Sequence, residues 1–278
     1  MEAIKELISS RSNKTVKYLK GLGLARNRQK EGRFLVEGVR IIEEAIENPG
    51  CLERLIVTPQ AASNDRHAAL VETARERGMD IMWVADRVLD YLSETKTSQG
   101  IMAQVRPVSF TLDDLDHGQT QLIVVAHLLQ DPGNLGTIIR VAEAAGAGGV
   151  VITPGTVDFY NPKALRATMG SIFRLPTYRA DSLEKFLMHF KEKGYQVVAA
   201  MVSGRKKYFE VNLLKPTILL LGQEAAGLPA DASRLSDVRV SIPMATMIDS
   251  LNVASAAGVI LYEAVRQKYS SGGELARK

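Results

Sequence analysis

The chain has 278 residues, 46% hydrophobic and 24% charged, which is the composition of a globular protein with one large or two ordinary domains. Its longest apolar stretches are too short to cross a bilayer, and its charged N-terminus lacks the apolar core of a signal peptide. Cys51 is the only cysteine, which excludes an intrachain disulfide and a cysteine metal cluster, so we expect a cytoplasmic protein.

The net charge of +4 is concentrated near the N-terminus. Residues 11–33 carry eight cations against one acid, Glu31, so this segment holds +7 and the remainder of the chain sums to −3. Such a cluster is typical of a surface that binds a phosphate backbone, although a solvated helix face would look the same. The candidates for phosphate contacts are Arg11, Lys14, Lys17, Arg26, Arg28 and Arg33.

The N-terminal half alternates helices and strands. Helical spacing in the first thirty residues is followed by a short strand with Phe34 and Val36, and then by a helix whose buried stripe is Val39, Ile42 and Ile46. The pattern then predicts strands at 52–59, 81–85 and 100–106 and helices at 65–78 and 87–94. This alternation indicates a compact α/β module, which we place at residues 1–106.

The C-terminal half predicts a second α/β domain. Residues 107–118 are polar, acidic and led by proline, so we interpret them as a linker. Continuous apolar strands then favour a parallel sheet covered on both faces. The predicted strands are 121–126, 149–153, 175–178, 195–200, 217–221 and 238–242, and the predicted helices are 135–146, 161–170, 182–193 and 250–267. We place the domain at residues 119–269 and predict a disordered tail at 270–278.

A first polar motif, QDPGNLG at residues 130–136, stands where a strand gives way to a helix. Asn134 is a good N-cap residue, which would leave backbone donors free to meet an anion. Arg140 follows less than two turns later, near enough to share a pocket with Asn134. A capping Asn and a surface Arg would be the simpler interpretation.

A second motif, TILLLGQEAAGLP at residues 217–229, could be mistaken for a phosphate loop. It lacks the Lys-Ser/Thr ending of a P-loop and is not GxGxxG. Gly222 allows close backbone approach to a ligand, and Gly227 allows a left-handed turn. Glu224, between them, is either solvated or a placed hydrogen-bond acceptor.

A third motif, at residues 242–262, passes from a strand through a polar corner into a helix rich in small residues. Ser250 and Asn252 flank Leu251 at the start of that helix, where either polar residue could be only an N-cap. The four histidines lie outside the three motifs and are widely separated, which argues against a metal site.

In this order, the three motifs resemble the signature motifs of the SpoU (TrmH-like) family of RNA ribose methyltransferases, in the SPOUT superfamily. The resemblance covers roughly residues 120–267. It implies a C-terminal parallel-sheet domain with a deep trefoil knot, S-adenosyl-L-methionine as cofactor, and a homodimer paired through that domain. The GRFLVEG and SETKTSQGIMA segments are similar to the family's smaller N-terminal α/β RNA-binding domain, which favours ribosomal RNA over tRNA as the substrate.

The resemblance also implies residue roles. The implied catalytic residues are Arg140, Asn134, Glu224, Ser250 and Asn252, and the implied cofactor-binding residues are Leu221, Gly222, Gly227, Ile242, Leu251 and Ala254. A guanidinium rarely gives up its proton, so we expect Arg140 to stabilise the developing alkoxide, held by Glu224 or Asn134. The alternative is that Arg140 acts as the general base.

Two other classes of protein compete with this interpretation. A catalytically inactive RNA-binding scaffold of the same fold is disfavoured because all five implied catalytic residues are present together. A dehydrogenase is disfavoured because the chain has no strand-GxGxxG-helix unit.

Overall fold

The computed structural model describes residues 6–95, 98–117 and 120–272, which form two compact units. The first unit extends through residue 109 and takes in Tyr160–Phe173, and the second unit holds residues 110–159 and the chain from Arg174 onward. The boundary after residue 109 falls inside the predicted linker. Residues 273–278 of the predicted tail lie outside the described residues.

The regular elements follow the predicted order. The strands are β1 (Phe34–Glu37), β2 (Leu52–Val57), β3 (Asp80–Trp83), β4 (Ile101–Val105), β5 (Leu122–Ala126), β6 (Gly149–Ile152), β7 (Thr177–Arg179), β8 (Gln196–Ala200), β9 (Lys206–Lys207), β10 (Thr217–Leu221) and β11 (Val238–Ser241). The helices are α1 (Lys14–Gly21), α2 (Ala25–Glu31), α3 (Val39–Glu47), α4 (Asp65–Glu76), α5 (Asp86–Leu92), α6 (Pro132–Ala144), α7 (Pro162–Thr168), α8 (Leu183–Glu192), α9 (Ala230–Arg234) and α10 (Val253–Ser270).

The first unit is built on a four-stranded sheet of order β1-β4-β2-β3, in which the β2–β3 pair is parallel and the β1–β4 and β2–β4 pairs are antiparallel. On α3, Val39, Ile42 and Ile46 are buried, as their spacing predicted. Apolar side chains of α1 and α5 pack with Ile56, Met82 and Met102 of the sheet in one core cluster. The prediction of an N-terminal α/β module is confirmed.

The helix predicted at 161–170 forms as α7, but it belongs to the first unit. The Tyr160 ring stacks on Phe34 of β1 with 4.4 Å between centroids, and the Phe173 ring lies 6.4 Å from Phe34. Leu165 and Ile172 are also buried. The sequence pattern gives the helix an apolar face but does not say which sheet that face covers.

The second unit is built on a seven-stranded sheet of order β7-β6-β5-β10-β8-β11-β9, in which every described pair is parallel. β5, β6 and β10 are buried along their whole length, which confirms the prediction of a parallel sheet covered on both faces. The strand order changes direction between β5 and β10. In such sheets, ligands bind beyond the carboxyl ends of the strands at this point.

Three features of the second unit were not predicted. β9 and α9 are too short for periodicity to reveal. Within the predicted linker, Asp113–His117 form a 3-10 turn, and Leu115 of this turn is buried against Gly149, where an added Cβ would lie 2.4 Å from Leu115 Cδ2.

In the described parts of the chain, no helix has the length and apolar character needed to span a membrane.

Candidate active site

A cleft of about 640 Å³ opens beyond the carboxyl ends of β10 and β11. Its volume is within the range of small-molecule sites, about 300–1,000 Å³. The walls come from the loop after β8, from the segments that follow β10 and β11, and from the first turn of α10. Among the lining residues are 200–203, 221–228, 240–244, 248–251, Lys207, Val253 and Ala256.

Glu224 joins the β10 loop to the start of α6. Its carboxylate accepts hydrogen bonds from the backbone amides of Asp131, at 2.9 Å, and Gln130, at 3.2 Å, and from Asn134 Nδ2 at 3.1 Å. Partial burial alone would raise the pKa of this carboxyl, but the bonds from Asp131, Asn134 and Gln130 outweigh burial and lower the pKa below its ordinary value. Glu224 is therefore a placed acceptor that is ionised at neutral pH.

The same chain of hydrogen bonds continues to α10. Asn252 Nδ2 donates to Asn134 Oδ1 at 2.9 Å, so Asn134 bridges Glu224 and Asn252. Asn252 is also the N-cap of α10, since its Oδ1 accepts from the amides of Ala254 and Ser255. The structure thus brings together three of the five predicted catalytic residues in one polar chain.

The sequence had suggested Asn134 as the N-cap of α6, but the N-cap is Asp131. The Asp131 carboxylate accepts from the amides of Gly133, at 2.6 Å, and Asn134, at 3.2 Å. Pro132 occupies the first turn, a position where a missing N–H costs nothing. With Asp131 as the cap, the Asn134 side chain is free to bridge Glu224 and Asn252.

Gly222 and Gly227 form the two ends of a tight turn. Gln223 and Gly227 exchange backbone hydrogen bonds of 3.0 Å and 2.8 Å, and Gly227 has φ +68°, as its predicted left-handed turn requires. An added Cβ on Gly222 would lie 2.4 Å from the carbonyl carbon of Gly227. The expectation that Gly222 makes room for a ligand is therefore incomplete, because the residue first makes room for the chain's own turn.

Arg140 stands apart from the polar chain. Its side chain is exposed, does not line the cleft, and has no hydrogen bond or ion pair with any residue the structure describes. Six residues along a helix correspond to about 9 Å of rise and roughly 120° of rotation from Asn134. The expectation that Glu224 or Asn134 holds Arg140 was wrong for this structure, since both are bonded elsewhere.

Most of the predicted cofactor residues line the cleft, namely Leu221, Gly222, Gly227, Ile242 and Leu251, and the predicted catalytic residue Ser250 lines it with them. Ala254 is buried and does not line it. Val253 and Ala256, three apart on α10, take that place. The loop at residues 200–203 was missed because it carries no motif, although a loop at the carboxyl end of a parallel strand is itself a signal.

The predicted phosphate contacts in the first unit differ in their surroundings. Lys14, Lys17 and Arg26 are exposed, whereas Arg28 is 5% exposed and its Nη1 donates to the carbonyls of Leu22, at 3.0 Å, and Gly23, at 2.7 Å. The assignment of Arg28 to RNA binding was wrong, because its guanidinium is used inside the fold. Two others are engaged on the surface: Arg33 with Glu53 at 2.6 Å, and Arg11 with the carbonyl of Arg87 at 3.2 Å.

Comparison with known proteins matches both halves of the chain. The family described as "SpoU rRNA Methylase family" matches residues 121–262, and the "MRM3-like substrate binding domain" matches residues 13–103. The 23S rRNA (guanosine(2553)-2'-O)-methyltransferase RlmP of Bacillus subtilis (strain 168) is 31% identical over 92% of this chain and 97% of its own. The 23S rRNA (uridine(2479)-2'-O)-methyltransferase of Streptomyces viridochromogenes is 32% identical over 95% of this chain and 93% of its own.

A solved structure gives the same result for the fold. The SpoU methyltransferase AviRb from Streptomyces viridochromogenes, in complex with the cofactor AdoMet, superposes with a TM-score of 0.85 at 33% identity. The match covers 94% of this chain and all of that one, 100%.

Proposed function

The chain belongs to the SpoU rRNA methylase family, and from this premise we propose that it methylates a ribose 2′-hydroxyl in ribosomal RNA. The observation that carries the proposal is the cleft at the end of β10 and β11, whose wall includes Glu224, the residue at one end of the Glu224–Asn134–Asn252 chain. Support for ribosomal RNA comes from relatives that match nearly the whole chain and are named as 23S rRNA 2'-O-methyltransferases.

The cofactor is S-adenosyl-L-methionine, and the cleft fits it. Leu221, Ile242 and Leu251 supply apolar walls for an adenine ring, and the cleft volume of about 640 Å³ suits a nucleoside-sized ligand. When bound, S-adenosylmethionine supplies an electrophilic methyl group. The rest of the site must hold the ribose hydroxyl in line with that methyl, and the proton that the hydroxyl loses must pass to solvent.

We propose that the Glu224–Asn134–Asn252 chain positions the starts of α6 and α10, and that Arg140 supplies the positive charge that stabilises the reacting oxygen. The ionised Glu224 holds the start of α6 through Asp131 and Asn134, and Asn252 ties the start of α10 to the same point. The exposed Arg140 guanidinium has no partner among the described residues, so it is available to stabilise the alkoxide that forms as the hydroxyl attacks. Ser250 lies on the cleft wall, and we assign it to contact with the substrate ribose.

We infer a cytoplasmic protein and a homodimer formed through the second unit, as the resemblance to the family implies. Support for the dimer comes from α10, a helix rich in alanine on which Tyr262 is 51% exposed. Sedimentation that gives a fully active 30.4 kDa species at micromolar concentration would refute an obligate dimer.

Methylation of defined RNA tests the activity. The full chain is incubated with isotopically labelled S-adenosylmethionine and unmodified 23S rRNA transcript, or with a tRNA transcript, and ribose methylation is mapped along each. We expect label in 2′-O-methylribose of the ribosomal transcript. Label confined to tRNA would move the chain to tRNA methylation, and label on a base would overturn the ribose assignment. Titration with S-adenosylhomocysteine and with NAD separates this activity from a dehydrogenase, which would bind NAD.

A further inference from the structure

A cluster of cations lies on the rim of the cleft, outside the three motifs. Residues 205–209 read Arg-Lys-Lys-Tyr-Phe and form β9, the edge strand of the second sheet, with the turn that follows it. The cleft is lined by residues 201–203 just before this stretch and by Lys207 within it. Arg205 and Lys206 are thus flanked on both sides by cleft residues.

The backbone of this rim is held firmly against β11. Lys206 and Lys207 pair in parallel with Val240 and Ser241, immediately before the cleft residues 242–244. Gly204 comes so close to β11 that an added Cβ would lie 2.2 Å from the carbonyl carbon of Val240. The position of the cations beside the cleft is therefore fixed by close backbone packing.

The side chains of the rim are available to a ligand. The side chains of Arg205 and Lys206 are exposed and make no hydrogen bond or ion pair within the described residues, while the Lys207 ammonium donates to Ser241 Oγ at 3.3 Å. The carboxylate of Glu210 accepts from the Lys207 amide at 2.6 Å. Residues 205–210 carry three cations and this one carboxylate, so the stretch has an excess of positive charge. Phe209 is 50% exposed, in edge contact with Tyr208 at 5.2 Å between ring centroids.

We propose that Arg205, Lys206 and Phe209, which we call the basic rim, bind the RNA strand next to the nucleotide that enters the cleft. Arg205 and Lys206 contact phosphates, and Phe209 offers a ring on which a neighbouring base stacks. Cations interleaved with an exposed aromatic ring are the means by which proteins hold single-stranded nucleic acid. The inference rests on the proposed RNA substrate and adds a contact surface in the second unit to the one predicted for the first.

Edge protection is the other use of such residues. Lysines on an edge strand prevent pairing with the edge of another molecule. That role explains Arg205 and Lys206 but not Phe209, because an exposed phenyl ring on an edge favours association. The position beside the cleft and the aromatic ring together favour RNA.

The test uses the full chain and two neutralised variants. The Arg205→Gln/Lys206→Gln double variant is compared with Lys185→Gln/Lys215→Gln, which removes two exposed cations from α8 and from the residues before β10, neither of them lining the cleft. Binding of a short fluorescein-labelled oligouridylate is measured over a series of salt concentrations. The Arg205→Gln/Lys206→Gln variant should make the slope of log binding constant against log salt concentration shallower by about 1.4, which is roughly 0.7 for each single-strand phosphate contact. The control variant should leave that slope unchanged.

Phe209 is tested separately. Phe209→Ala should weaken oligouridylate binding by about fivefold or more, and Phe209→Trp should keep it, because every base can stack on an indole. Affinity for S-adenosylhomocysteine should be the same in all variants, since none of these side chains lines the cleft.

Three results would overturn the inference. These are a rim variant with the wild-type slope and affinity, a parallel fall in S-adenosylhomocysteine affinity, or an oligomer larger than that of the wild type in sedimentation, which would signal edge protection. In each of these cases the wild-type chain still methylates RNA and the proposed function stands. A wild-type chain that neither binds nor methylates RNA would overturn the proposed function as well.

Discussion

Arg140 is an exposed cation on α6 with no partner in the part of the chain that the structure describes. Arg140→Ala should lower methyl transfer by about 10²–10³-fold or more, while RNA and S-adenosylhomocysteine affinities stay within about threefold, because the missing interaction is made in the transition state. Arg140→Lys should fail too, since an ammonium does not reproduce the planar fork. Single-turnover rates decide the point, and near-normal transfer in either folded variant would remove Arg140 from the mechanism.

Leu251 offers a cleaner test of the cofactor cleft than Gly222. Gly222→Ala would force the turn at Gly227 to move and should lower both stability and S-adenosylhomocysteine affinity. Leu251→Asp, on the cleft wall and 39% exposed, should lower affinity by about tenfold or more with little change in thermal stability. Met247→Asp, a fully exposed position in the same loop that does not line the cleft, is the matched control. An equal fall in affinity in the control would place the ligand elsewhere.

The Glu224 carboxylate should contribute to stability in a defined pH range. Its pKa is lowered in the folded state by hydrogen bonds from Asp131, Asn134 and Gln130, which outweigh the opposing effect of burial. Its contribution is therefore present above the ordinary pKa of 4.5 and is lost as pH falls through the lower folded-state value. Glu224→Gln should cost about 1 kcal/mol at neutral pH, a modest figure because the group is exposed, and should reduce the loss of stability below pH 4.5.

Urea unfolding over a pH series measures this effect. Glu184→Gln, which removes a surface carboxylate from α8, is the control. An identical pH dependence for wild type and Glu224→Gln would show that the hydrogen bonds of Glu224 do not stabilise the fold.

At the scale of elements, the Asn252 side chain both caps α10 and links it to α6 through Asn134. Asn252→Ala loses both and should cost about 1 kcal/mol of stability together with activity. Asn252→Asp keeps the cap but has no N–H for Asn134 Oδ1, which then faces a carboxylate. The Asp variant should keep stability within about 0.5 kcal/mol and reduce transfer by about tenfold or more. Wild-type transfer in the Asp variant would mean that the link between Asn134 and Asn252 has no part in the reaction.

The elements themselves could be predicted from the sequence where periodicity runs for several residues. The buried stripe of α3 was predicted because its apolar residues recur at helical spacing. The strands β5 and β10 were predicted because they are continuous apolar runs, as expected for strands buried on both faces. The cap of α6 was missed although Asp131 stands directly before a proline, a helix-start signal that outranks Asn134. The bridge through Asn134 could not be predicted, because it joins residues 118 positions apart.

At the scale of the whole molecule, the basic segment of the first unit should control RNA affinity without touching the chemistry. Neutralising Lys14, Lys17 and Arg26 to Gln should lower the salt slope of RNA binding by about 0.7–0.9 for each phosphate that is no longer neutralised, and product formation at saturating RNA should largely survive. Arg28→Gln should behave differently and cost about 1.5–3 kcal/mol of stability, because two carbonyls inside the fold are then without their charged donor. An unchanged salt slope with abolished turnover would make the segment a solvated face.

The knot implied by the family stays a prediction, as do the domain limits. The sequence could not reveal where α7 packs, since its pattern gives a short apolar face but not the sheet which that face covers. The sheet on which α7 packs depends on the contact between Phe34 and Tyr160, which are far apart in the chain and meet only in the fold.

The return of Tyr160–Phe173 to the first unit has a consequence for synthesis on the ribosome. The first unit cannot close over Phe34 when residue 109 has been made, because the rings of Tyr160 and Phe173 that pack beside it come only after the 64 residues 110–173 have been added. At about 5–20 residues per second this delay is roughly 3–13 s. During that time the nascent chain exposes an apolar face that chaperones can recognise, so truncated chains ending before residue 173 should be the ones most prone to aggregate.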